Sequence, residues 1–324
     1  MSASPTYAPE VPKTRPGALP AGSYAMGITP FDRDGRLDEG ALRDHVGRLA
    51  AEGVGFWPAS PATGEGSTMD DAEILRALEI VAEETAGHRP VVAGSREFPT
   101  AGHNIAFAAK AHDHGADAVQ IYPPTLGHSF APTEAMFTRF YDEVLSAVAT
   151  PVVLSSNFMT GFEVPASVFE RPVEDFPQVI GIFKHHPDQH NVAEFVARFA
   201  PRTTVLTMTQ KLMFSFAAGA TAELDNLQNV APRLCRALHD ELARGDAAAA
   251  GETCRAITRV WGGISRFSAA HSAPRVVVYK AMLRLLGLPG GHPRKPYLDL
   301  EGDALKELAR MIDAVGLREL EGLA

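Results

Sequence analysis

The stretch VIGIFKHHPDQ, residues 179–189, joins a run of β-branched and apolar residues directly to a lysine and two histidines. An uninterrupted apolar run reads as a strand buried on both faces, as in a parallel sheet, and the charge that closes it marks a side chain delivered to the strand end. Seven other runs follow the same grammar: SYAMGI (23–28), GFWPA (55–59), PVVAGS (90–95), AVQIYP (118–123), PVVLSS (151–156), TTVLTM (203–208) and ATAELD (220–225). Between them lie longer segments with apolar residues at helical spacing, such as LDEGALRDHVGRLAAEG and DAEILRALEIVAEETAG. Eight alternating strand and helix units predict an α/β fold, a (β/α)8 TIM barrel. A doubly wound open sheet is the competing architecture, but no GxGxxG follows an early strand.

After residue 233 the strand pattern stops and three helical stretches follow, RALHDELARGDAAAAGETCRAITRVWGGI, APRVVVYKAMLRLLG and GDALKELARMIDAV. The expected layout is an N-terminal arm (1–20), the barrel (21–233) and a small C-terminal helical appendage (234–324). The arm is rich in Pro, Ala and Ser and lacks the apolar core of a signal peptide. With 324 residues, 45% of them hydrophobic, the chain can fill a sizeable core. Its 39 acidic and 30 basic residues give a net charge of -9 and no source for phosphate neutralisation, so no nucleic-acid partner is expected. No run approaches the roughly 18 consecutive apolar residues of a membrane span. The two cysteines, Cys235 and Cys254, form no CxxC arrangement, which fits reduced thiols and a cytoplasmic location.

In barrels of this kind the reactive groups sit at the carboxyl ends of the strands and in the loops after them. That rule narrows the search to Thr63, Gly64 and Glu65; Arg96 and Glu97; Tyr122; Ser155, Ser156 and Asn157; Lys184, His185 and His186; Thr207 and Thr209; and Glu223, Asp225 and Asn226.

Several motifs then line up in order: TPFDRDGRLDEGALRDHVGRLAAEGV with ATGE (62–65), GHNIAFAAKAHDHGADAV, AAGATAELDNLQNVAP (217–232), and APRVVVYKAMLRLLGLPGGHPRKPYLDL (273–300). Together they resemble the dihydrodipicolinate synthase and N-acetylneuraminate lyase family from about residue 20 to the end. The resemblance implies a lyase that forms a Schiff base between a sixth-strand lysine and pyruvate or a related 2-oxo acid, for aldol-type or dehydration chemistry. It also implies a homotetramer or dimer, and neither a metal nor an organic cofactor.

Carried over residue by residue, the resemblance makes Lys184 the nucleophile and has Thr63 and Gly64 hold the substrate carboxylate. Ser155 takes the place of the family's tyrosine, and Asn157 joins Arg96, Glu223 and Asp225 as candidate substrate-binding groups. Ala62 replaces one of the loop threonines, and Met159 stands where the synthases carry an arginine, so authentic dihydrodipicolinate synthesis is not expected. The alternative is a family barrel without imine chemistry, acting as a ligand-binding or regulatory protein or through carboxylate and histidine acid–base catalysis.

The choice rests on register. An ungapped match of GIFKHHPD to the family's sixth strand puts Phe183 where the lysine belongs. Because strand side chains alternate, that offset turns Lys184 away from the interior. A bulge at Phe183 would restore it, and a position just past the strand end would release it from the alternation. For Glu223 and Asp225, alternation places both on one face of the last strand; if that face is the interior, they form a charged pocket with Arg96. A structural ion pair of Arg96 with Glu97 or Glu223 is the plainer reading. His185 and His186, being adjacent, cannot easily share one metal, and no metal is expected; a hydrogen-bonding or proton-shuttling role at the pocket rim fits them better.

Overall fold

The computed structural model describes residues 17–323 apart from Ala86, His88, Ser95, His128 and Ser129. Most of the expected N-terminal arm, residues 1–16, therefore lies outside the described residues. All eight expected strands form: β1 (Gly22–Met26), β2 (Gly55–Trp57), β3 (Val92–Gly94), β4 (Ala118–Ile121), β5 (Val152–Asn157), β6 (Val179–His185), β7 (Thr204–Thr207) and β8 (Ala222–Asp225). They pair in parallel in the order β2-β1-β8-β7-β6-β5-β4-β3. The ring is a nearly closed TIM barrel whose unpaired seam falls between β2 and β3.

Helices α1 (Glu39–Ala51), α2 (Asp71–Thr85), α3 (Ala101–Asp113), α4 (Glu134–Ala147), α5 (Glu170–Asp175), α6 (Gln189–Phe199), α7 (Thr209–Ala217) and α8 (Pro232–Ala243) follow successive strands. Their starts are written locally. Asp38 accepts a hydrogen bond from Ala41 N–H at 3.0 Å to open α1, and Asp188, the one acidic residue of the stretch 179–189, accepts from His190 N–H at 2.9 Å to open α6. Beyond the barrel come α9 (Ala247–Ala270), α10 (Arg275–Leu285), α11 (Gly302–Ala314) and α12 (Leu317–Leu320), which share an apolar core with α7 and α8. None of the described helices is long and apolar enough to cross a membrane.

Two apolar layers tell the inside of the wall from the outside. One buried cluster takes Tyr24, Trp57, Val92, Ala118, Val153, Phe183, Leu206 and Ala222, one residue from each of the eight strands, and is the barrel interior. Leu19 closes its N-terminal end, donating its N–H to Ile180 O at 2.9 Å and accepting from Thr204 Oγ1 at 2.7 Å. The intervening strand residues, among them Ala25, Phe56, Ala93, Val119, Leu154, Ile182 and Val205, pack instead with the surrounding helices.

The register of β6 resolves the offset seen in the sequence. Val179 pairs with Val152, but Gly181 pairs with Val153, so an extra residue is taken up at Ile180. That irregularity lies upstream of Phe183 and resets the alternation for every residue after it, with no second shift at Phe183 to bring the lysine inward. Beyond it the ladder is regular, with Ser155 opposite Phe183, Ser156 opposite Lys184 and Asn157 opposite His185. Gly181, Phe183 and His185 therefore face the interior, and Ile182 and Lys184 face the helices.

Candidate active site

The C-terminal mouth of the barrel is built first by the loop after β2. Thr63 Oγ1 donates to Asn226 Oδ1 at the end of β8, 2.8 Å away. Gly64 N–H donates to Ser60 Oγ at 3.0 Å, and its carbonyl accepts from Thr29 Oγ1 at 2.7 Å. Only glycine fits on either side of Glu65: a Cβ on Gly64 would lie 2.5 Å from Ser60 N, and one on Gly66 would lie 2.1 Å from Ala59 O. Glu65 itself holds the left-handed region at φ 53° and is fully enclosed. Its carboxylate accepts from Arg294 N–H at 2.8 Å and pairs with the Lys280 ammonium of α10, which also donates to His292 O at 2.9 Å. Burial works against both charges, lowering Lys280 and raising Glu65, and each partner's charge opposes that push. The C-terminal helices thus hold the loop that carries Thr63 and Gly64.

Across the mouth stand the ends of β4, β5 and β6. Ser155 is fully buried and, among the described residues, its hydroxyl has no hydrogen-bond partner; the same is true of Gln120 Nε2 and of Trp57 Nε1, both on interior-facing positions. Tyr122, two residues beyond Gln120, is buried with its phenol held well above its ordinary pKa by burial and, secondly, by the nearby Glu97 carboxylate.

His185 emerges above Phe183 on the same face, the two rings stacked at 6.4 Å. Its Nδ1 lies 3.0 Å from Asn157 Oδ1, which also accepts Met159 N–H at 3.0 Å. An amide oxygen can only accept, so Nδ1 carries the proton and Nε2 keeps a free lone pair. Burial, with lesser pushes from Lys211, His186, Arg275 and Lys184, lowers the imidazole pKa from 6.5 to about 4, so the ring is neutral near pH 7.

Several expected site residues stand elsewhere. Lys184 does not deliver its amine to the interior: its side chain, 2% exposed, runs between the barrel wall and α6, donating to Glu163 Oε1 at 2.7 Å with Nζ 4.8 Å from the centre of the Phe195 ring. Phe183 fills the interior position, as alternation along β6 requires. Glu223 and Asp225 also face outward, because Ala222 and Leu224 take the interior side of β8. Asp225 accepts from Asn226 N–H at 2.6 Å and from Thr209 N–H at 3.0 Å, fixing the start of α7. Among the described residues neither oxygen of Glu223 has a hydrogen-bond partner. Burial pushes its pKa from 4.5 to about 7, against the opposing influence of the nearby Ser23, Thr209 and Gln228 side chains. Arg96 meets neither carboxylate; it donates to Met69 O at 2.6 Å and pairs with Asp71 at 3.1 Å. The structure therefore brings Thr63, Gly64, Ser155 and Asn157 to the mouth and leaves Lys184, Glu223, Asp225 and Arg96 out of it. Gln120 was missed because it sits within β4 rather than at its end, and Trp57, the last residue of β2, reads in the sequence simply as core or oligomer packing; only strand alternation, with the interior face known, picks them out. Among the described residues no three His, Cys, Asp or Glu side chains gather as a metal site.

With this geometry in place, the comparisons with known proteins are unambiguous about kinship. The model of the dihydrodipicolinate synthetase family matches residues 19–315. A 4-hydroxy-tetrahydrodipicolinate synthase of Methanopyrus kandleri is 28% identical over 294 residues, covering 90% of this chain and 94% of that protein. A Rhizobium rhizogenes protein named "Probable 5-dehydro-4-deoxyglucarate dehydratase" is 26% identical over 300 residues, covering 91% and 96%. Among solved structures, YagE from E. coli K12, a prophage protein in complex with pyruvate, superposes with a TM-score of 0.81 at 22% identity, over 93% of this chain and 100% of that one. At that identity the likeness is one of fold.

Proposed function

The chain belongs to the dihydrodipicolinate synthetase family of lyases, and we propose that it carries out lyase chemistry on a small 2-oxo or hydroxy acid by acid–base catalysis at the barrel mouth, without a Schiff base. The observation that carries this reading is the pairing of Phe183 with His185 on the interior face of β6, while the amine of Lys184 turns outward. In an imine mechanism the protonated imine is the electron sink. Without it, a carbanion next to a carbonyl must be stabilised as an enolate by hydrogen-bond donors aimed at its oxygen.

The unpartnered Ser155 hydroxyl, Gln120 amide and Trp57 indole N–H are buried donors of that kind. His185 Nε2 is the base that takes the proton α to the carbonyl, and Asn157 holds the ring in the required tautomer. The Thr63–Gly64 loop holds the substrate carboxylate. The relatives' names, a synthase and a dehydratase, support addition or elimination on an acid of this class.

The test is exchange of the α-protons of pyruvate and related acids in D2O, read by NMR, alongside borohydride treatment with the same acids and peptide mapping. The expected result is exchange that falls roughly 10²- to 10⁴-fold in His185→Asn, the usual contribution of a positioned general base, with no borohydride adduct on Lys184. A pyruvate adduct on Lys184 would overturn the reading in favour of imine chemistry.

Assembly into a dimer or tetramer is part of the same proposal, as is a cytoplasmic location. Phe158, Met159 and Phe130 stand 43%, 74% and 59% exposed on the loops after β5 and β4, an apolar rim suited to a second copy of the chain. Light scattering on the purified protein measures that state.

A further inference from the structure

The Lys184 amine ends in a cavity of its own. It lies on the outer side of β6, about 310 Å³ in volume, between Pro165 and Ala166 on one side and Asn191, Glu194, Phe195 and Arg198 of α6 on the other. The volume is at the lower end of the range for small-molecule sites, roughly 300–1,000 Å³.

The cavity holds an unequal ion pair. The Lys184 side chain is 2% exposed and fixed, while that of Glu163, its carboxylate partner at 2.7 Å, is 40% exposed on a loop. A buried ammonium needs an anion, since enclosing an unpaired charge costs several kcal/mol. A carboxylate so near solvent is easily rehydrated when it lets go. The ammonium has three N–H donors, and Glu163 is its only hydrogen-bond partner among the described residues. Asn191 donates its amide N–H to the same Glu163 oxygen at 3.1 Å, yet its own Oδ1 is buried without a partner among the described residues. A fixed cation and an unsatisfied acceptor thus line one small cavity. Glu194 and Arg198 bring one charge of each sign to the exposed side, which leaves the Lys184 ammonium as the one buried cation for a single anionic group, and the faces of Phe195, Pro165 and Ala166 suit a short carbon skeleton.

We propose that this cavity is a second ligand site, separate from the barrel mouth, for a small monocarboxylate carrying a neighbouring hydrogen-bond donor. The ligand carboxylate replaces that of Glu163 on the Lys184 ammonium, and the donor, a hydroxyl or an ammonium, satisfies Asn191 Oδ1. Glu163 is the internal stand-in for that ligand.

Labelling of Lys184 tests this directly, whether or not the mouth is a lyase site. Reductive methylation is followed by peptide mapping in the wild type and in Glu163→Gln, with lactate, alanine, propionate or chloride present. The variant should label faster by roughly tenfold, the effect of about one pKa unit on the neutral amine fraction. Lactate or alanine should then slow its labelling saturably, and propionate, which lacks the donor, more weakly. Protection by lactate alone or by alanine alone assigns the donor as hydroxyl or ammonium. Calorimetry on Lys184→Met should show no binding of either; if that variant does not fold, the labelling of Glu163→Gln decides. No protection by any acid, or equal protection by chloride or propionate, overturns the proposal.

Discussion

The inner and outer faces of the barrel wall, which alternate residue by residue along the same strands, differ sharply in charge. At the mouth the inner face presents neutral polar groups: Ser155, Gln120, Asn157 and a histidine whose pKa is depressed to about 4. The outer face carries Lys184, Glu223 and Asp225, all buried. One loop serves both faces, since Asn157 at its start holds His185 and Glu163 farther along holds Lys184. The difference teaches that titratable residues at strand ends do not by themselves mark the reactive side of a barrel. In this wall the charges belong to the scaffold, and the proposed chemistry falls to uncharged groups.

Three variants probe how far that contrast extends. The largest effect is expected where the charge pair is completely enclosed, at the loop that shapes the mouth. Lys280→Met leaves the Glu65 carboxylate unpaired at 0% exposure and should cost about 3–5 kcal/mol, read by urea unfolding. A loss below about 1 kcal/mol would mean that the pair is not closed off from water as described.

Glu223→Gln comes next and is pH-dependent. The folded-state pKa of about 7 lies above the ordinary 4.5, so the folded chain holds an extra proton between those values. The stabilising contribution is complete below pH 4.5 and is lost as pH rises through 7. Glutamine cannot ionise, so the variant should gain roughly 3 kcal/mol over the wild type at pH 8, since each pKa unit corresponds to about 1.4 kcal/mol. That gain should shrink to nothing toward pH 4.5. A difference independent of pH would show that the carboxyl is not the titrating group.

The smallest effect belongs to Lys184→Met. Methionine fills the same channel beside Phe195, and the freed Glu163 is near solvent, so stability should change by about 1 kcal/mol or less. A loss comparable to that of Lys280→Met would make Lys184 a structural pillar and erase the contrast between the two pairs.

Much of this is legible in the sequence. All eight strands formed where apolar runs stood, because a buried parallel strand needs an unbroken apolar segment bounded by turn residues. The glycine-flanked Glu65 and the Thr63–Gly64 loop were likewise visible as a motif at the end of β2. Asp188 was visible as a residue but not in its role, which is to cap α6. Nothing in the sequence showed that Glu65 would be paired with a lysine 215 positions away in α10, because that contact depends on how the C-terminal helices return to the barrel.

The sequence by itself determined the units, their order and the two sets of alternating residues on each strand, since these follow from local periodicity. Only the tertiary structure decided which set became the inside. A lone strand has two equivalent faces, and closing the ring, with the extra residue accommodated at Ile180, assigned them. That assignment put Phe183 and His185 in the interior and sent Lys184 to a cavity behind the wall.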